Sequence, residues 1–197
     1  MMVLLTIGAL LLGLVYGLAG LDLPAVTFLT DHTDAVLYLL MFSVGISVGM
    51  YRGLAAKIRE YHLRIFLIPA GVMFGSVAGG VLCAALLHMP WNYGAAIAGG
   101  MGWYSLAGAT IGRLVGAEMG SVAFLSNLMR EIFSYLIIPC IALKLNYYTS
   151  IAPAGATSED TTLPMMLKYT NEETVVLSVL NGMICSLFVP VIISICL

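Results

Sequence analysis

Apolar runs long enough to cross a bilayer follow one another through this chain, at about residues 3–21, 35–50, 65–87, 93–115, 120–143 and 174–197. In hydrocarbon every backbone N–H and C=O must be satisfied within the protein, which leaves only helices or closed barrels. Runs near 20 residues suit helices. With 61% hydrophobic and 9% charged residues and a mean hydropathy of +1.03, against about a quarter charged in soluble domains, the expected fold class is an all-α polytopic membrane protein. A single transmembrane domain over residues 1–197 with about six spans is expected, the lipid bilayer being its first partner. A net charge of -2 and no basic cluster beyond one loop exclude nucleic acid as a partner.

That loop carries Arg52, Lys57, Arg59 and Arg64. Basic loops stay cytoplasmic, so the acidic connection from Asp22 to Asp34 faces outward and the N-terminus is cytoplasmic. The first run has neither a charged leader nor a cleavage-type ending, and is expected to remain as a helix. Gly45 and Gly49, and Gly71, Gly75 and Gly79, lie at spacings that let neighbouring helices approach closely. Cys83, Cys140, Cys185 and Cys196 show no C-x-x-C spacing and read as packing residues. His32, His62 and His88 sit near loop ends, and no H-E-x-x-H, G-x-S-x-G or P-loop occurs. An enzyme is thereby disfavoured. No cofactor or metal is expected, only coupling to a proton or cation.

Three stretches carry the polar chemistry. The run 93–115 is diluted by glycine around G-W-Y-S-L-A-G, with Trp103, Tyr104 and Ser105. It reads equally as a thin helix packed through glycine faces or as a broken helix, and irregular backbone in a membrane marks a cavity or site. The run 120–143 carries Arg130 and Glu131, the latter about 18 Å from either end and so near the midplane. At 100° per residue Asn127, Arg130, Glu131 and Ser134 form one polar stripe. Charges at such depth are usually turned inward and used, the alternative being an ion pair that merely fixes packing.

Residues 151–167 are apolar at both ends and polar at the centre, with Pro153, Gly155 and Pro164 bracketing A-T-S-E-D-T-T. Two half-helices meeting at Thr157, Ser158, Glu159 and Asp160 would make an ion or substrate site, whereas a capped outer loop is the plainer reading. In the last run Ser178, Asn181 and Cys185 share a face, and Asn181 is either an interhelical hydrogen-bonding residue or a ligand. A midplane carboxylate favours exchange, since protons and cations compete for it. Were Glu131 and Asp160 to share a cavity they would hold an ammonium group, with Arg130 or half-helix amides holding a carboxylate. A dibasic amino acid fits that pattern.

The blocks G-W-Y-S-L-A-G at Gly102, A-F-L-S-N-L-M-R-E-I at Ala123 and A-G-A-T-S-E-D-T-T-L-P at Ala154, with L-L-M-F-S-V-G-I-S-V-G at Leu39, resemble the LysO lysine exporters along the whole chain. The resemblance implies a bacterial inner-membrane exporter of L-lysine, coupled to protons, with Glu131 essential. By residue-wise matching it places Trp103, Tyr104, Ser105, Asn127, Arg130, Thr157, Ser158 and Asp160 around the pathway. Antiporter folds with crossing broken helices are the analogy for its architecture. Typical members carry a further N-terminal module with its own acidic residue, so the chain looks like a C-terminal part, and a small membrane protein is the expected partner. A homo-oligomer is left open. Glu159 departs from the pattern by adding a negative charge where an apolar residue is usual. An inorganic cation/proton antiporter and a structural subunit of a two-component transporter are the alternative functions.

Overall fold

The computed structural model describes residues 8, 11–13, 15–20, 23–32, 35, 38–39, 42–43, 46, 50 and 66–197. The loop of Arg52, Lys57, Arg59 and Arg64 lies outside them, as do Asp22, Asp34, Gly45, Gly49, His62 and much of the runs 3–21 and 35–50. The chain divides into two compact units, Met1–Phe42 and Ser43–Leu197.

In the first unit the backbone is helical over 11–13 and 15–18, and helix α1 spans Pro24–Asp31. Proline suits a first helical position, where no N–H is needed. The Leu23 amide donates to the Tyr16 hydroxyl at 2.9 Å, and the His32 ring stacks on Phe28 at 4.3 Å. The acidic connection thus contains a helix rather than a simple loop.

The second unit contains α2 (Leu67–Leu86), α3 (Trp91–Gly99), α4 (Tyr104–Val115), α5 (Ala117–Lys144), α6 (Leu163–Tyr169) and α7 (Glu172–Cys196). Helices α2, α5 and α7 are long and apolar enough to cross a membrane. No strand occurs among the described residues, and this is a helical membrane protein. Helices α3 and α4, about 14 and 18 Å long, are each too short for a hydrocarbon core of roughly 30 Å. Between them Met101 has φ 48° and Gly102 φ 97°, angles at which an α-helix cannot continue. The glycine-rich run is therefore two helices joined by a bend.

After α5 the chain makes two short 3-10 turns, Thr149–Ile151 and Gly155–Glu159, before α6. Apolar side chains draw these pieces onto the long helices: Ile138 of α5, Ile151, Ala154, Met166 of α6, and Leu177 and Leu180 of α7 form one buried cluster. Cys185 is buried as a packing residue should be, but Cys83 and Cys140 are exposed on their helices.

Helices α2 and α3 touch backbone to backbone at Gly80 and Gly94, where a Cβ on Gly80 would fall on the Gly94 carbonyl and 2.6 Å from the Ala98 methyl. Overpacking of such a contact costs about 1–3 kcal/mol. Gly80→Leu should lower the detergent-solubilised unfolding temperature by roughly 2–10 °C. Gly79→Leu, facing open space, should move it by no more than about 2 °C; equal losses in the two variants would remove the α2–α3 contact as the cause.

Candidate functional site

Helix α5 organises the polar interior. Asn127 is 2% exposed; its Nδ2 donates to the carbonyls of Ile97 and Ala123, each at 2.9 Å. Its Oδ1 accepts from the Gly102 amide at 2.8 Å. A single amide side chain thus satisfies the polar groups freed where α3 stops. One helical turn on, Arg130 reaches the other irregular stretch: Nε donates to Pro153 O at 3.1 Å and Nη2 to Ala152 O at 3.3 Å. Its Nη1 donates to Ser76 Oγ of α2 at 2.8 Å. Ser134 adds a bond to Pro153 O at 2.9 Å.

The two irregular stretches meet. The Ala156 amide donates to Met101 O at 2.9 Å, and Gly155, at φ 60°, lies so close that a Cβ there would strike Met101 O and come 3.0 Å from Arg130 Nη2. On the opposite side α7 holds the turn by reciprocal bonds: Ser158 Oγ donates to Ser178 O and Ser178 Oγ to Ser158 O, both at 2.8 Å. Asn181 Nδ2 donates to Gly155 O at 3.0 Å and Ser158 Oγ at 2.9 Å. Thr157 Oγ1 donates to Ala154 O at 2.8 Å. Asn127, Thr157, Ser158 and Asn181 therefore have their hydrogen-bonding capacity engaged in holding the irregular backbone.

Glu131 is treated differently. It is 1% exposed, yet both carboxylate oxygens lack a hydrogen-bond partner among the described residues. Arg130 makes no ion pair with it, since its bonds go to Ser76, Ala152 and Pro153. Asp160, Tyr135 and the Thr161 hydroxyl lie close enough to Glu131 to interact with its carboxylate. The Thr161 hydroxyl is itself buried beside the carboxylate and, like it, is without a well-formed hydrogen bond among the described residues. Tyr135 donates through its hydroxyl to Thr161 O, and the Thr161 amide donates to Asp160 Oδ1. Tyr104, the first residue of α4, packs edge-on against Phe124 at 5.3 Å.

Trp103 is half-buried at the bend, its amide donating to Gly100 O at 2.8 Å, and Ser105 is exposed and makes none of these bonds. Glu159 accepts from Ser186 Oγ at 3.0 Å. Ser76, Tyr135 and Thr161 were not singled out from sequence. Tyr135 carries a signal in hindsight, at i+4 from Glu131 on the same face, and Thr161 directly follows Asp160.

The sequence profile of the family described as Lysine exporter LysO matches residues 7–197. The chain belongs to the LysO family. It is 33% identical over 187 residues to Lysine exporter LysO of Escherichia coli, covering 95% of this chain and 61% of that protein. It is also 35% identical over 161 residues to a putative lysine exporter of Haemophilus influenzae, covering 80% of each. The chain thus spans about three fifths of the length of its Escherichia coli LysO relative. No solved structure matches it.

A buried carboxylate without partners costs stability, and polar groups kept at such a cost commonly serve function. Glu131→Gln should therefore unfold at the same or a higher temperature than the parent in detergent. A drop of more than about 5 °C would show that the carboxylate holds the fold together.

Proposed function

We propose that this chain is the translocating part of an L-lysine exporter of the bacterial inner membrane, exchanging lysine for protons. The observation that carries the reading is Glu131: a fully buried carboxylate, unpartnered among the described residues, in a family described as lysine exporters. An unpaired carboxylate inside a membrane protein takes a proton or a cation, and the two compete. Asp160, exposed and close enough to Glu131 to act on it electrostatically, supplies the second negative charge for a cationic substrate. The irregular stretches at Gly100–Trp103 and 151–167 enter the membrane together and supply the interrupted backbone that transport sites use.

In this reading about six helices span the bilayer, the N-terminus is cytoplasmic, and no cofactor is needed beyond the coupling ion. A small membrane protein is proposed as the chain's partner. In a second reading this chain is a structural subunit, with Arg130 and Glu131 fixing its helices, and a partner moves the substrate.

Efflux of labelled lysine from loaded cells expressing the chain should disappear in Glu131→Gln while membrane insertion is intact. Unchanged efflux would refute the role of Glu131. Exchanging Arg130 and Glu131 separates the two readings, since transport retained in the swapped variant favours the subunit. Lysine, and not sodium, should collapse a preset pH gradient in vesicles; the reverse result identifies an inorganic cation antiporter.

A further inference from the structure

We infer that Thr161 is a substrate contact, its hydroxyl oxygen and the two Glu131 carboxylate oxygens forming a three-acceptor seat for a primary ammonium group. The inference rests on the export reading above and adds to it a ligand atom and the residue that selects it. Glu131 Oε1, Glu131 Oε2 and Thr161 Oγ1 are the buried side-chain oxygens and nitrogens left without a hydrogen bond among the described residues. They belong to different elements, one on α5 and one in the turn before α6, and they lie beside each other.

The neighbourhood shows that this is not general looseness. Asn127 makes three bonds, Arg130 three, and the single hydroxyl hydrogens of Ser134 and Ser158 each have two carbonyl acceptors within reach. Where polar groups are otherwise matched so fully, three adjacent orphans mark a place for a donor that comes and goes. An alkylammonium offers three N–H donors and no acceptor, which matches the seat in number and sign. A proton alone would serve one oxygen. Mg²⁺ or Ca²⁺ needs about six oxygens or more, and no group of acidic, His or Cys ligands suited to a metal occurs among the described residues.

The seat is also held in place. The Thr161 amide is fixed by Asp160 and its carbonyl by Tyr135, so the backbone on both sides of the hydroxyl is clamped. Pre-set acceptors of this kind bind without the cost of ordering them first. Val at this position keeps the shape and removes the oxygen, and Ser restores it.

Binding of lysine, Nα-acetyl-lysine and Nε-trimethyl-lysine to the purified full chain, measured by calorimetry beside lysine uptake in proteoliposomes, tests the inference. Lysine affinity should fall about tenfold or more in Thr161→Val and stay within about threefold of the parent in Thr161→Ser. In the parent, strong binding of the acetyl compound and weak binding of the trimethyl compound assigns the side-chain ammonium; the opposite order assigns the α-ammonium, and either supports the seat. Affinity unchanged in Thr161→Val, or both derivatives binding as well as lysine, overturns it. The ligand series on the parent decides the matter should Thr161→Val fail to fold. Lysine that binds as described but is not transported defeats the export reading and leaves the seat standing, whereas no lysine binding by the parent defeats the seat.

Discussion

The second unit depends on a half-buried cation that carbonyls and a hydroxyl satisfy in place of an anion among the described residues. Arg130 spends its bonds on two successive carbonyls, those of Ala152 and Pro153, and on the Ser76 hydroxyl. Removing a charge from water costs several kcal/mol, and hydrogen bonds to a charged group return about 1.5–3 kcal/mol each. Three of them largely offset the cost in place of a carboxylate. Because a guanidinium stays charged in proteins, this tie between α2, α5 and the stretch after the first 3-10 turn is indifferent to pH. It fixes where the chain enters Gly155, and so where Ser158, Asp160 and Thr161 fall.

Glu131 is the next residue, pointing about 100° away around the helix axis. Had the two charges paired, each would have neutralised the other, as in a packing ion pair. Their separation leaves Arg130 to hold backbone and Glu131 to hold nothing permanent among the described residues. One helix thus carries a constant attachment and a responsive one in adjacent positions, with Asn127 securing the α3–α4 bend a turn earlier.

Much of this was visible as pattern. The apolar runs at 65–87, 120–143 and 174–197 correspond to α2, α5 and α7 within a few residues, because length and hydropathy are all that a lipid-crossing helix requires. Of the stripe Asn127, Arg130, Glu131 and Ser134, Arg130 is half-buried and the other three are buried, as their shared face implied. What pattern does not carry is division of labour. Thr157, Ser158, Asn181 and Asn127 have the composition of ligands, but they are engaged with backbone. For Ser158, Asn181 and Asn127 that distinction lies in which carbonyl each meets across 20 to 30 residues of sequence, information no local spacing contains, while Thr157 bonds within its own turn to Ala154 O. Thr161 escaped for the converse reason, since a threonine after an aspartate reads as an ordinary turn residue until its hydroxyl is found without a partner.

The bend at Met101 and the turn at Gly155 have to be considered together. Met101 holds a positive φ that a side-chain-bearing residue adopts at a cost of order 1–3 kcal/mol, and it is fully buried. Its carbonyl is tied to the Ala156 amide, and the Gly102 amide is tied to Asn127. Neither stretch can shift alone without leaving a buried amide or carbonyl unsatisfied, which costs as much as the strain would relieve. The two therefore move as one body or not at all. Both are attached to α5, and the Glu131 carboxylate lies at the edge of that body beside Thr161. A change of charge on Glu131 is felt first at Thr161, whose hydroxyl is the other buried side-chain oxygen without a partner among the described residues, and through Thr161 at the turn that Gly155 begins.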